Sequence, residues 1–363
     1  MATPHFHWFN PVRRDAAASG GGRSPDIDYR RDVARAAERN GFESILCMVG
    51  KDVDDPWIAA SSLISATKRV KFIVAVRPGY THPAVVAHHA ASFQNVSNDR
   101  LWLNIVTASH EAELRGYGDF LDKASRYERT AEFFEVLKSA WSGQSFSYSG
   151  KHYRVENGGL SAPLAVTPKL FIGGSSAEGQ RIGAAYADVH LSYGEPPPLL
   201  REHVERVREL ADKESRTVRF GIRIHVITRP TSEAAWAEAD RFLAGLDPLQ
   251  IERQKKAIEE RASVGQARVQ SFRGRRDDPD SLKIYPNIWA GTGLVSGGGG
   301  STALVGSYEE VAERIDEYLS IGVEHFIISG RPLLESAYEV GEGVLSLFRD
   351  RFVEQASNRE VAA

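Results

Sequence analysis

The sequence predicts an α/β protein folded as a (β/α)8 TIM barrel with insertions. Three observations predict it. Short apolar runs alternate with helical patterns along almost all of the 363 residues. About eight of those runs read as strands, and repeated strand–helix units imply a parallel sheet that eight units can close. No GxGxxG turn follows the first strand, as an open doubly wound sheet would favour; the run Gly20-Gly21-Gly22 sits in a polar loop.

Each element has its own signal. Residues 5–10 (HFHWFN) read as the first strand, and 28–40 as a helix with Val33, Ala34 and Ala37 on one face. A second strand, 43–49 (ESILCMV), precedes a helix over 57–67. A third, 70–76 (VKFIVAV), is closed by Pro78 and Gly79, and the alanine-rich helix 83–95 starts on a proline. Strand 101–107 (LWLNIVT) leads to the long helix 125–142, with Gly143 where a left-handed cap belongs. Residues 146–153 (FSYSGKHY) read as a hairpin turning at Ser149-Gly150. The alternation resumes with strand 169–173, a helix from Ser175, strand 189–192 and helix 198–213. Strand 218–228 follows, then helices over 234–246 and 249–272. Residues 273–302 are glycine-rich and expected to be irregular. Helix 308–321, strand 325–329 and helix 333–352 complete the chain.

Composition narrows the class without naming a function. Lys+Arg is 45 against 48 Asp+Glu, a formal charge of −3, unlike a basic nucleic-acid binder. One cysteine, Cys47, excludes a disulfide framework or a multi-cysteine metal site. It lies in an apolar strand and reads as a small core residue. No apolar run approaches the ~20 residues that span a bilayer, and no signal-peptide pattern opens the sequence. A cytoplasmic protein with neither nucleic acid nor membrane as partner is expected. The histidines are scattered without ligand spacing, and His88 and His89, adjacent on a helix, cannot share a face.

The most informative strand is GIRIHVIT (221–228). Alternation puts Arg223 and His225 on one face and Ile222, Ile224 and Val226 on the other. In a parallel barrel both faces are covered, so the polar pair points inward near the strand's C-terminal end, where barrel active sites lie. A buried arginine needs an anionic partner, either a ligand or an internal carboxylate. His225 would then donate a hydrogen bond or move a proton. The segment FIGGSS (171–176) is a strand ending in a glycine turn that enters a helix. Gly173 and Gly174 permit close approach, and Ser175 and Ser176 add hydroxyls to a helix N-terminus, which suits a phosphate or a plain N-cap equally. Asn104, an amide in an apolar strand, needs a partner. Arg273, Arg275, Arg276 and Lys283 form a basic cluster that reads as solvated surface. The acidic run Asp52, Asp54, Asp55 precedes a helix that it is expected to cap.

In order along the chain, VKFIVAVRP (70–78), LNIVTASHEAEL (103–114), SRYERTAEFFEVL (125–137), FIGGSSAEGQ (171–180), YGEPP (193–197), FGIRIHVITR (220–229), SVGQAR (263–268), PNIWAGTGLV (286–295), TALVGS (302–307) and ISGRPLLESAYEVGE (328–342) resemble the bacterial luciferase-like flavin-dependent monooxygenases, nearest the alkanesulfonate monooxygenase group. The resemblance implies a two-component enzyme. Reduced FMN comes from a separate NAD(P)H-dependent flavin reductase and reacts with O2, and a sulfonate is cleaved to an aldehyde and sulfite. It assigns Ala75, Asn104, Tyr127, Gly173, Gly174, Ser175 and Ser176 to the flavin, with the two serines at its phosphate. Arg223 and His225 match an active-site pair, and Tyr193 stands where the alkanesulfonate enzymes carry a tryptophan. It also implies a homodimer or homotetramer.

The substrate wall departs from that group. Ser296 replaces a loop arginine, Arg331 and Leu333 replace a tyrosine and a histidine, and Val53 replaces a cysteine. Arg331 can restore the lost positive charge from another direction, so Arg331, Tyr193 and Ser296 are the expected substrate contacts. The substrate is then a small anion, a sulfonate or another organic acid. Two readings stand beside this one: a deazaflavin-dependent oxidoreductase on the same barrel, and a flavin-binding protein without catalysis. A minimal barrel takes about 250 residues. The chain is therefore read as one barrel domain over residues 1–363, its surplus falling in insertions at about 144–168 and 245–305, the second a lid.

Overall fold

A computed structural model describes residues 3–12, 15, 22–107, 111–259, 264–272, 274–296 and 300–351. Arg273 and the glycines at 297–299 lie outside the described residues, so the centre of the expected glycine lid does too. The strands are β1 (His5–Phe9), β2 (Ser44–Cys47), β3 (Lys71–Val76), β4 (Leu101–Ile105), β5 (Phe146–Ser149), β6 (Arg154–Gly158), β7 (Leu170–Gly173), β8 (Val189–Tyr193), β9 (Arg219–Arg229), β10 (Lys283–Tyr285), β11 (Ile288–Trp289), β12 (Ala303–Ser307) and β13 (Val323–Ser329). Eight of them close in the order β1-β2-β3-β4-β7-β8-β9-β13, each parallel to the next, and β13 pairs back onto β1. The expected barrel is thus present, and apolar runs mark all eight of its strands.

The elements have the caps the sequence announces. Asp55 accepts from the amides of Trp57 and Ile58, capping the helix Pro56–Leu63. Its neighbour Asp54 instead pairs with Arg30. The long helix Lys123–Trp141 ends ahead of Gly143, whose φ of +72° is the left-handed conformation expected there. The hairpin β5–β6 forms the first insertion but runs on to Gly158. The second insertion differs from expectation. Helix is described over Pro248–Glu259 and Val264–Gln270, residues 260–263 lying outside the described residues, and the stretch expected to be irregular contains β10 and β11. β12, a further strand, runs parallel to the second half of β9. Strand β9 is long because it serves both: Arg219–Arg223 pairs with β8, and from His225 onward its edge takes β12.

The pleat separates the barrel interior from the outer layers, and a further apolar cluster around Leu243, Trp289 and Val305 lies beside the second insertion. Leu46, Ile73, Trp102, Phe171, Val189 and Ile327 fill the barrel interior, while a larger cluster lies between strands and helices. Each interior side chain contributes ~1.5–3 kcal/mol by leaving water. Below this plug, at the N-terminal end, the histidines that look scattered in sequence meet. His325 stacks on His5 at 4.5 Å and on His7 at 5.2 Å, and His7 Nε2 lies 2.9 Å from His325 Nδ1. The plug leaves only the C-terminal mouth open for chemistry. Among the described residues no helix is long and apolar enough to cross a membrane.

Candidate active site

Arg223 and His225 do point inward at the C-terminal mouth, as alternation predicts. Arg223 stands opposite Tyr193 on β8, and His225 opposite Ser329 on β13. Among the described residues no carboxylate pairs with Arg223, so no internal salt bridge is seen for this arginine there. Its guanidinium donates to the Ile224 carbonyl at 2.7 Å and to Ser329 Oγ at 2.7 Å, and lies over the Phe9 ring at 4.6 Å. Ser329 Oγ is also 2.6 Å from His225 Nδ1. Ser329 therefore couples the two, a role the sequence does not announce. Its one signal is inward parity at the end of the last strand.

The electrostatics of the mouth are one-sided. Burial, and then the charge of Arg331, lower Arg223 to about 9. Burial, then Arg223 and Arg331, hold His225 well below the usual imidazole range. His225 is neutral at pH 7. Arg223 donates to Ser329 Oγ, and His225 Nδ1 meets both that hydroxyl at 2.6 Å and the Ser329 carbonyl at 3.3 Å. Both contacts of the ring are made at Nδ1, which leaves Nε2 turned the other way. That nitrogen faces the second insertion: a Cβ built on Gly300 would lie 3.1 Å from it and 3.1 Å from Ser296 Cβ. Ser296 and His225 thus both border Gly300. Arg331 lies over the Phe242 ring at 5.5 Å and, with His225 and Thr292, lines a small cleft with a cavity of about 20 Å³. Leu333, by contrast, packs in the outer core.

The other rim carries the remaining candidates. Asn104 faces inward beside Ala75, its register partner, and its Oδ1 is buried with no hydrogen-bond partner among the described residues. Gly173 presents no side chain; a Cβ there would touch nothing nearer than the Leu191 carbonyl at 3.4 Å. Gly174 is needed for packing, since its Cβ would come within 3.0 Å of Gly179. Ser176 caps the helix Ala177–Tyr186 by accepting from the Gly179 amide, and its hydroxyl also donates to Tyr127 Oη at 3.2 Å. Ser175 stays half-exposed. These residues fit a flavin mononucleotide. An unpartnered amide oxygen and two small residues line the mouth, and a helix N-terminus with a half-exposed hydroxyl stands at its edge.

The helix Val264–Gln270 covers this rim. A Cβ on Gly265 would sit 2.8 Å from Ser175 Oγ and 3.0 Å from the Tyr193 ring, so only glycine allows so close an approach. Arg268, three residues on, grips Glu195 through Nε at 3.0 Å and Nη2 at 2.7 Å. The Glu195 carboxylate is 3% exposed, and burial raises its pKa even beside Arg268. Arg268→Ala would strand that carboxylate. Because Arg268 is itself partly exposed, we expect a modest loss, ~1–2 kcal/mol, felt locally as release of this helix. Hydrogen exchange over residues 264–270 should accelerate at least tenfold, while the barrel strands keep their protection. Unchanged exchange there would refute the latch.

The weaker signals resolve as structure. Cys47 is buried and its thiol is pushed up to about 12. Arg275 pairs with Asp277, Lys283 pairs with Asp280, and Arg276 donates to the Leu243 and Ala244 carbonyls. Those cations are used locally.

The sequence model of the luciferase-like monooxygenase family matches residues 4–325. Solved structures with the same fold include a riboflavin lyase with modified FMN and riboflavin, at TM-score 0.79 and 20% identity over 97% of this chain and 92% of that one. EDTA monooxygenase from Chelativorans sp. BNC1 gives 0.78 and 20% over 96% and 94%. The coenzyme F420-dependent tetrahydromethanopterin reductase from Methanopyrus kandleri gives 0.68 and 16% over 96% and 100%.

Proposed function

We propose, on the premise that this chain belongs to the luciferase-like monooxygenase family, that it is the oxygenase of a two-component system acting on a small organic anion. The substrate class we favour is an organosulfonate or a related organosulfur acid. One observation carries the anion: a partly buried guanidinium, Arg223, desolvated in the mouth with no carboxylate against it among the described residues and a second arginine, Arg331, within electrostatic reach. A guanidinium buried without a counter-charge is completed by a negative ligand.

Reduced FMN, when bound, supplies the two electrons that let O2 insert one oxygen atom into the substrate and leave the other as water. The protein's part is binding and proton handling. Ser175, Ser176, Tyr127 and Asn104 would hold the cofactor, with Ala75 and Gly173 making room for it. Arg223 and Arg331 orient the anion. Neutral His225 offers Nε2 to hydrogen bonding and proton transfer. For a sulfonate R–CH2–SO3⁻ the products are R–CHO and sulfite, the C–H proton passing to solvent. The helix Val264–Gln270, held by Arg268, excludes water from the mouth.

The test supplies NAD(P)H, a flavin reductase, FMN and O2. It measures sulfite and oxidised product from aliphatic sulfonates, sulfinates and sulfones. Flavin-dependent product from one of these acids is expected. Binding of a deazaflavin in preference to FMN, with no oxygenated product, would replace this reading by the deazaflavin oxidoreductase.

A further inference from the structure

Beneath the turn that precedes the helix Ala177–Tyr186 runs a file of buried polar side chains that the reaction does not use. Gln180 Nε2 lies 3.2 Å from the Ser175 carbonyl oxygen and 3.2 Å from His203 Nδ1. His203 Nε2 lies 3.5 Å from His190 Nδ1. His190 Nε2 is directed at the backbone of Gly174 and Gly179 without closing a full hydrogen bond. All three side chains are buried, Gln180 and His203 at 3% exposure and His190 at 0%. The file therefore begins and ends on the same turn.

Donor counting gives it one direction. The Ser175 carbonyl can only accept, so the Gln180 amide nitrogen faces it. The second N–H of that amide then donates to His203 Nδ1, which puts the His203 proton on Nε2. That proton points at His190 Nδ1, and the His190 proton on Nε2 points back at the turn. Burial lowers His203 to about 3 and His190 to about 4, so both stay neutral and the direction persists at pH 7.

The consequence follows from the planar trans peptide. The Ser175 carbonyl and the Ser176 N–H belong to one plane and point in opposite directions. Drawing the carbonyl inward onto Gln180 turns the Ser176 N–H outward, away from the protein interior. We infer that Gln180, backed by His203 and His190, is a positioning residue that presents the Ser176 amide to the flavin phosphate. This rests on the reading above that the turn takes that phosphate.

The inference separates two flavins that differ only by the phosphate. Dissociation constants for FMN and riboflavin, both reduced anaerobically, would be measured by quenching of tryptophan fluorescence. The wild-type chain should prefer FMN. Gln180→Leu should lower that preference about tenfold or more, with riboflavin affinity within about twofold of wild type. His203→Phe should act in the same direction and less strongly, and it carries the test should Gln180→Leu not fold. Equal weakening of both flavins would mean a merely structural role and would overturn the inference. So would a retained FMN preference in both variants. A wild-type chain that binds the two flavins equally would instead remove the phosphate reading itself, and the inference with it.

Discussion

Arg223→Met is expected to lower kcat/KM for the anionic substrate by about three orders of magnitude while raising Tm. The two effects have one cause. A charge-assisted pair to an anion in a water-poor site is worth ~4 kcal/mol of transition-state stabilisation, which is about 10³ in rate. In the free protein the same guanidinium is half-buried and desolvated, with no carboxylate against it among the described residues. Methionine fills similar space with no charge to desolvate, and relief of such groups commonly yields ~1–3 kcal/mol. Little is left unsatisfied: Ser329 Oγ keeps His225 at 2.6 Å, and the Ile224 and Ile327 carbonyls belong to strands β9 and β13. Arg223→Lys should recover little, because a point charge does not reproduce the planar fork over Phe9. The Arg223→Met variant should also raise the His225 pKa, since Arg223 is the second cause of its depression. Its pH–rate profile would then acquire an acidic limb. Turnover within tenfold of wild type would dispose of the anion site. A Tm several degrees lower would show that the charge is not strained.

What can be read from sequence follows the range of the interactions concerned. Parity within GIRIHVIT is local, so the order of residues alone places Arg223 and His225 on the inner face. The eight barrel strands are apolar because the barrel covers both their faces, and each announces itself within a few residues. The partners across the fold are not legible in this way. Ser329 meets His225 across 104 positions, and Arg268 meets Glu195 across 73. Neither a serine ending a strand nor an arginine in a short helix carries a mark of that. β12 escapes for a related reason. Its apolar core is only Ala303–Val305, and it exists as a strand because β9 outruns β8 and offers a free edge. The histidines show the effect most clearly. His7 and His325 are 318 positions apart, yet closure of β13 onto β1 sets them 2.9 Å apart.

That stack leads to the second large effect, a steep loss of stability in mild acid. Five histidines, His7, His190, His203, His225 and His325, are each no more than 8% exposed. All five have pKa values lowered chiefly by burial, His7 to about 3. The surroundings of the stack reinforce this. His7, His5, Lys169 and Arg219 press on His325, while Glu43, bonded to His5 at 2.8 Å, offers negative charge to His7. A depressed folded-state pKa means that the unfolded chain binds more protons as pH falls below about 6.5. The stabilising contribution of each neutral histidine is therefore complete above that pH and is lost on the way down. Each adds at most ~1.4 kcal/mol per pH unit, ~7 for five. Glu195 and Glu339, whose pKa values are raised by burial, act in the opposite sense. At most they offset ~3, leaving ~4 kcal/mol per pH unit at the steepest point. Between about pH 6.5 and 5 this removes up to ~6 kcal/mol, a large share of a total of ~5–15 kcal/mol. Depressed carboxylates such as Asp119 come into play only lower, near the ordinary carboxylate range. Urea midpoints at about pH 7, 6 and 5 should therefore fall monotonically. His7→Gln keeps partners for Ser44 and His325 but cannot titrate, and should reduce the slope by about one proton. A midpoint constant across those three pH values would show that the buried histidines are not held neutral by the fold.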